Sequence, residues 1–219
     1  MWGLSVEELD DIIINRVPIR EDGEDRYFPK DIYQALPSSG YTRMVENVLD
    51  HDLIKVSLKT KFNPEMESEF EHVFNSMPID QYFNYEHGAL PYRSIKFHNE
   101  VLKSTQLSKY PVVNFTDNSK FTRVTEWKNF PGHGTHPSQT FLTYEEPCDY
   151  KDNSCERYYP INDRMGCNRA TFKRYHEQIP GNMTFIGRCG LYVYINMDQA
   201  VSSALAAAHK FSEKKRLAA

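Results

Sequence analysis

The sequence predicts an α+β fold, mixed α/β at its two ends, from three observations. Helical periodicity marks residues 1–49. Short β-branched and aromatic runs, separated by Pro, Gly and Asn/Asp turns, fill residues 90–163. An apolar strand, a Gly-broken loop and an Ala-rich helix close the chain. With 219 residues, 40% of them hydrophobic and 26% charged, the chain can bury the core of one large domain or two small ones.

Ser5 to Arg16 is expected as a helix: Ser5 caps it, Glu7 and Glu8 occupy its first turn, Leu9, Ile12 and Ile13 mark one face, and Pro18 stops it. Arg16 then lies at its C-terminus, where the dipole favours a cation. Asp31 to Leu36 is short helix or irregular chain. The loop Pro37-Ser38-Ser39-Gly40 opens a second helix, Tyr41 to Leu49, with Met44, Val45 and Val48 on one face. Ile54 to Leu58 and Glu71 to Ser76 are expected strands. An antiparallel meander follows in the runs Tyr92–Val101, Val112–Phe115, Phe121–Phe130 and Gln139–Glu145. Arg164 to Gln178 is expected as a basic, polar surface helix entered through the rigid turn Tyr158-Tyr159-Pro160. Lys210 to Arg216 is expected as a solvated basic tail.

Thr184 to Val201 combines a short apolar run, breaks at Gly187-Arg188 and Gly190, a Tyr192-x-Tyr194 alternation and the helix cap Asn196. Unpaired N–H groups and the dipole at a helix start, with Arg188 nearby, suit an anion or cofactor. A core strand packed on a terminal helix accounts for the same pattern.

The net charge of -4 argues against a dedicated nucleic-acid binder, and no apolar run approaches the roughly 20 residues of a membrane span. The acidic N-terminus does not resemble a signal peptide. Cys148, Cys155, Cys167 and Cys189 contain no CxxC pair and are expected as reduced cytoplasmic thiols. Fourteen Tyr and thirteen Phe suit a site that stacks rings, and suit a β-rich core almost as well. No Ser/His/Asp signature, Walker loop, HExxH, paired carboxylates or G-x-G-x-x-G occurs in the sequence. His133 and His136 share a loop but lack the further ligands a metal needs.

Trp2-Gly3, Arg16-x-Pro-x-Arg20, Tyr27-Phe28, Gly40-Tyr41-Thr42-Arg43-Met44 and Pro78-Ile79-Asp80-Gln81-Tyr82-Phe83 form the first part of an ordered set of motifs. The set continues with Gly88-Ala89-Leu90-x-Tyr92-Arg93-Ser94, Asn114-Phe115-Thr116-Asp117, Phe121-Thr122-Arg123 and Tyr158-Tyr159-Pro160-Ile161-Asn162. It ends with Gly187-Arg188 and Tyr192-x-Tyr194-x-x-Met197-Asp198-Gln199. In this order the chain resembles the bacterial type of UDP-galactopyranose mutase, over the C-terminal portion of such an enzyme. The family's N-terminal FAD-binding Rossmann segment has no counterpart in it.

The resemblance implies an antiparallel substrate-domain sheet, plus strands and a C-terminal helix of an incomplete FAD-binding domain. Its divisions would be residues 1–49 (end of a helical region and start of the substrate domain), 50–89 (strands returning to the FAD-domain remnant), 90–163 (substrate-domain sheet) and 164–219 (helix–strand–helix of the FAD domain). It implies an isomerase that interconverts UDP-galactopyranose and UDP-galactofuranose in the cytoplasm, for surface polysaccharide biosynthesis. Reduced FAD displaces UDP from the anomeric carbon and UDP later returns, so the cofactor and not a protein side chain is the nucleophile. It further implies that FAD binding by this chain alone is incomplete and that the chain alone is inactive. UDP-galactose is the implied partner, with no nucleic acid, no membrane insertion, and homodimer formation left open.

By resemblance, Arg16 and Arg123 neutralise the substrate pyrophosphate. Tyr27, Tyr159 and Tyr194 bind or line the diphosphate pocket, Trp2 lies near flavin and sugar, and Asn114 near the galactose. Arg188, Asn196, Met197 and Asp198 contact the flavin. Asn196 stands where the family usually has Asp, and Ile186 where it has Gly. Two other outcomes remain alongside the mutase: a non-catalytic UDP-sugar-binding module and an inactive truncated fragment.

Overall fold

The computed structural model describes residues 2–14, 21–24, 28–134 and 136–218. In chain order the elements are α1 (Asp11–Ile14), α2 (Gly40–Leu49), β1 (Val73–Asn75), α3 (Ile79–Tyr82), β2 (Tyr92–Leu102), β3 (Val112–Asn114) and β4 (Arg123–Glu126). There follow β5 (Thr140–Asp149), β6 (Tyr159–Pro160), α4 (Cys167–His176), β7 (Met183–Phe185), α5 (Gly187–Gly190) and α6 (Met197–Ala218). A five-stranded sheet has the order β3-β4-β5-β2-β6, and β1 and β7 form a second sheet of two parallel strands. The pairs β3/β4, β4/β5 and β2/β6 are antiparallel. The chain is therefore α+β, as its periodicities predict.

Two compact units divide it. The first comprises Met1–Arg16, Pro64–Lys96 and Glu146–Ala219. Its core holds Ile79, Leu90, Tyr92, Tyr175 and Tyr192, each with no exposed surface. Each such apolar body contributes about 1.5–3 kcal/mol on burial. The three tyrosines also staple loops. Tyr192 Oη donates to the carbonyls of Pro91 (2.9 Å) and Ile161 (2.7 Å), Tyr175 Oη to that of Gly88 (2.8 Å), and Tyr92 Oη to that of Cys189 (3.2 Å). The wholly buried Asp80 accepts from the N–H groups of Leu90 and Gln81. In the parallel pair, His72 Nε2 meets Thr184 Oγ1 at 2.9 Å, and Phe211 of α6 stacks on His72.

The second unit comprises Val17–Asn63 and Phe97–Glu145. It is organised by Glu126, only 2% exposed, which ends β4. Its carboxylate accepts from the N–H groups of Leu107 and Ser108, from Thr140 Oγ1 (2.6 Å) and from Asn129 Nδ2. Burial alone would raise its pKa. The bonds from Thr140, Leu107, Ser108 and Asn129 outweigh it and hold the pKa below the ordinary carboxylate value.

Several expectations need correction. The first helix is broken. A 3-10 turn, Val6–Glu8, gives way to a bridge between Leu9 and Asp163, and only then does α1 begin. Here Asp10 N–H donates to Asn162 C=O and Glu8 C=O accepts from Arg164 N–H, so a neighbouring segment takes the groups a helix would use. Ile54–Leu58 is not a strand. It finds no partner strand among the described residues, and Leu58 is 82% exposed.

The expected Phe121–Phe130 strand stops at Glu126 and turns into a 3-10 helix, Trp127–Asn129. Lys128 and Asn129 hold that turn by donating to the carbonyls of Thr105, Gln139, Ser108 and Tyr110. Helix α4 is shorter than expected and is not merely a surface helix, since Phe172 and Tyr175 are buried. Gly187–Gly190 is one helical turn rather than a loop. Tyr192–Tyr194 does not continue as a strand, because Tyr192 takes a left-handed φ of 48°. The basic tail continues α6 to Ala218.

Two expected outcomes follow. A Cβ at Gly190 would lie 3.0 Å from the Asn75 carbonyl oxygen and 3.3 Å from Phe185 Cδ1. Gly190→Ala is therefore expected to lower unfolding free energy by about 1–3 kcal/mol in urea titration. Because its folded pKa is depressed, Glu126 stabilises the fold above the unfolded carboxylate value, and that stabilisation is lost as pH falls through the lower folded value. Glu126→Gln, which turns an amide donor toward this ring of donors, is expected to cost about 2–3 kcal/mol near pH 7. A midpoint that falls less steeply with acid than in the unmodified chain confirms the assignment.

Candidate functional site

The first unit brings together Trp2, Tyr159, Tyr194 and Arg188. Each arrives for a local reason. Tyr159 opens β6 and pairs in register with Arg93 of β2. Tyr194 follows the left-handed Tyr192, whose buried hydroxyl pins the turn. Arg188 lies on α5, entered through Gly187 at φ 73°, a conformation that favours glycine. Ile186, in place of a family glycine, is extended and needs no glycine.

The three rings form a closed triangle of edge-to-face contacts. Centroids are 5.5 Å apart for Trp2–Tyr159, 5.4 Å for Trp2–Tyr194 and 5.2 Å for Tyr159–Tyr194. The Arg188 guanidinium lies 5.7 Å from the Tyr159 ring centre and 4.9 Å from that of Tyr194. It donates to the Tyr158 carbonyl (2.6 Å, Nη1) and to the Ile195 carbonyl (3.2 Å from Nε and 2.5 Å from Nη2). Among the described residues Arg188 forms no ion pair. One positive charge, half-buried against two rings, thus lacks an anion there.

Asn196 stands immediately before α6. Its N–H donates to Gln199 Oε1 (2.9 Å) and its carbonyl accepts from Ala200 N–H, the return half of a capping box. Met197 and Asp198 are exposed in the first turn, where Asp198 suits the dipole. The Cys189 thiol beside Arg188 has its pKa pushed up by burial, which outweighs Arg157 and Arg188. It stays protonated and is a poor nucleophile.

In the second unit Asn114 and Arg123 are cross-strand partners of β3 and β4. Arg123 Nε lies 3.0 Å from Glu145 Oε2, yet its direction does not suit a hydrogen bond. The contact is one of charge. Burial raises the Glu145 pKa more than Arg123 lowers it. The terminal nitrogens of Arg123 make no hydrogen bond to the described residues. Arg16 and Tyr27 lie outside the described residues. His133 packs beside Trp127 at 6.2 Å, and no group of three metal-ligating side chains forms among the described residues.

Sequence reasoning overlooked Arg93 as a site residue. Cross-strand partners share a face, so Arg93 stands beside Tyr159. A Cβ on Gly3 would lie 3.2 Å from Arg93 Nη1, so the Trp2-Gly3 backbone passes directly against this guanidinium. The signal was the alternation Tyr92-Arg93-Ser94, in which the outer two residues are buried and the middle one faces the other way.

Comparison with known proteins gives the chain's family. A family model described as UDP-galactopyranose mutase matches residues 1–194. The chain is 35% identical over 217 residues to a "Probable UDP-galactopyranose mutase" of Klebsiella pneumoniae, covering 96% of this chain and 54% of that protein. It is 34% identical over 226 residues to a UDP-galactopyranose mutase of Mycoplasma pneumoniae, covering 96% and 56%. A dTDP-fucopyranose mutase of Escherichia coli is 29% identical over 225 residues, covering 98% and 58%. The chain thus spans about half the length of the curated relatives it matches. With most of its residues matched by the family model, the chain belongs to the UDP-galactopyranose mutase family.

Proposed function

We propose that this chain carries the UDP-sugar-binding part of a mutase that interconverts UDP-galactopyranose and UDP-galactofuranose. The observation that carries the reading is the Arg188 charge, without an anion among the described residues and packed on Tyr159 and Tyr194, whose rings in turn meet Trp2. A fixed cation among flat rings with hydroxyl tips suits a nucleoside diphosphate. The tyrosine hydroxyls hydrogen-bond phosphate oxygens and the indole borders the sugar. Arg123 and Arg16 are the proposed cations that stabilise charge on UDP as its bond to the anomeric carbon breaks. The reaction is an isomerisation with no net redox change: UDP leaves and the same UDP returns. Asn114 is proposed to orient the galactose. A cytoplasmic setting is part of the proposal, supported by four free cysteines.

FAD is the proposed cofactor, and it supplies the nucleophile when bound. The donors present suit one side of it. A guanidinium has five N–H groups, and Arg188 uses Nε and one N–H of each Nη on carbonyls, leaving two for a ligand. The first turn of α6, at Met197 and Asp198, adds backbone N–H groups, the Asn196 N–H being held by Gln199. The glycine next to this wall is not an open cradle, because Gly190 packs against the Asn75 carbonyl. With no G-x-G-x-x-G in the sequence to grip a pyrophosphate, the fit is to part of the cofactor. That observation favours a second reading for the isolated chain: it binds UDP-sugar without turning it over.

Calorimetric titration tests both readings. UDP is expected to bind while galactose alone does not, more weakly at high salt. Tyr194→Phe is expected to weaken UDP binding by roughly tenfold, the size of a hydrogen bond to a charged group. No heat from UDP would overturn the proposal. Formation of UDP-galactofuranose by the isolated chain with FAD and dithionite would eliminate the binding-module reading.

A further inference from the structure

We infer that Arg188 is a positioning residue, whose guanidinium ties the backbone behind Tyr159 to the backbone behind Tyr194 and so sets the geometry of the aromatic triangle. The two carbonyls it holds belong to Tyr158 and Ile195, the immediate neighbours of those tyrosines. Other bonds flank the first segment, since Tyr158 N–H donates to Arg93 C=O and Ile161 N–H to Pro91 C=O, but the Arg188 fork is what joins it to the second. The strand β6 is two residues long, and Tyr194 lies in irregular chain between α5 and α6. Arg188 reaches both from a single helical turn, and the same planar group lies 5.7 and 4.9 Å from the two ring centres. Hydrogen bonds and ring contacts therefore converge on one rigid fork. A lysine has the charge but gathers its donors on one atom, so it cannot span both carbonyls and lie against both rings. The clamp also explains how the site keeps a charge in place without a carboxylate among the described residues. The carbonyl oxygens take one donor from each nitrogen of the guanidinium without neutralising it.

The clamp stands on geometry alone, whereas its effect on ligand affinity rests on the UDP-binding reading. The test uses the full chain with Trp127→Phe, which leaves Trp2 as the sole tryptophan. In that background Arg188→Lys is expected to change the Trp2 emission maximum and reduce the near-ultraviolet circular dichroism of the triangle, measured well below the unfolding midpoint. It is also expected to weaken UDP binding by about tenfold or more. A purely stabilising arginine would lower the midpoint and leave the Trp2 spectra unchanged, and that result would overturn the inference. If the unmodified chain does not bind UDP, the functional proposal fails while the Trp2 spectra still decide the clamp. If Arg188→Lys does not fold, side-chain 15N spectra of the unmodified chain decide it. The expected result is a slowly exchanging Arg Nε–H with an Overhauser contact to the Tyr194 ring. A freely rotating, fast-exchanging guanidinium at that ring would overturn the clamp.

Discussion

The Tyr192 hydroxyl is the constraint on which the first unit depends. It lies in a fully buried side chain and reaches the carbonyls of Pro91 and Ile161, which belong to chain segments entering β2 and leaving β6. The same residue has a left-handed backbone, which turns the chain so that Tyr194 faces Tyr159. Its ring packs against Tyr92 at 5.3 Å and Phe172 at 6.1 Å. Burial keeps its proton bound by pushing the pKa far up, so the donor is present throughout the ordinary pH range. A hydroxyl left unpaired there would cost what any buried polar group costs, so the loops it joins stay joined.

Much of this architecture was legible because it follows local rules. β-branched and aromatic runs between turn residues located β2 to β5, although β2 lies beside β5 and β6 and not beside β3 as a meander would have it, and the Asn196 cap located the start of α6. What could not be read were decisions made by distant partners. Leu9 looks helical, yet residues 162 and 164 capture its neighbours' backbone groups. Ile54 to Leu58 looks like a strand, yet no partner strand exists among the described residues. Tyr192 and Tyr194 look like one alternating run but do different work. The first is a core staple and the second packs on Trp2 and Tyr159, and the sign of φ at Tyr192 separates them.

The site was legible in a different way. Trp2, Tyr159 and the stretch that holds both Arg188 and Tyr194 are far apart in sequence, and no spacing rule joins them. Family resemblance nominated them, and the first unit gathers them within contact distance of one another. Arg93 was missed because a lone arginine in an alternating strand reads as solvated. Its significance depends on which strand lies opposite. The tyrosine surplus likewise had two explanations: Tyr92, Tyr175 and Tyr192 build core, while Tyr159, also buried, and Tyr194 pack on Trp2.

The parallel pair β1/β7 has a kinetic consequence. Val73 pairs with Met183, and the first unit draws on three separated stretches of chain. Closing so long a loop has an entropic cost before any pairing can repay it, and high contact order slows folding. The Asp80 and Tyr92 region emerges from a ribosome well before the Tyr175 and Tyr192 rings that enclose it. Its apolar side chains must wait exposed while the chain from Tyr92 to Tyr175 is made, an interval in which a nascent chain needs a chaperone.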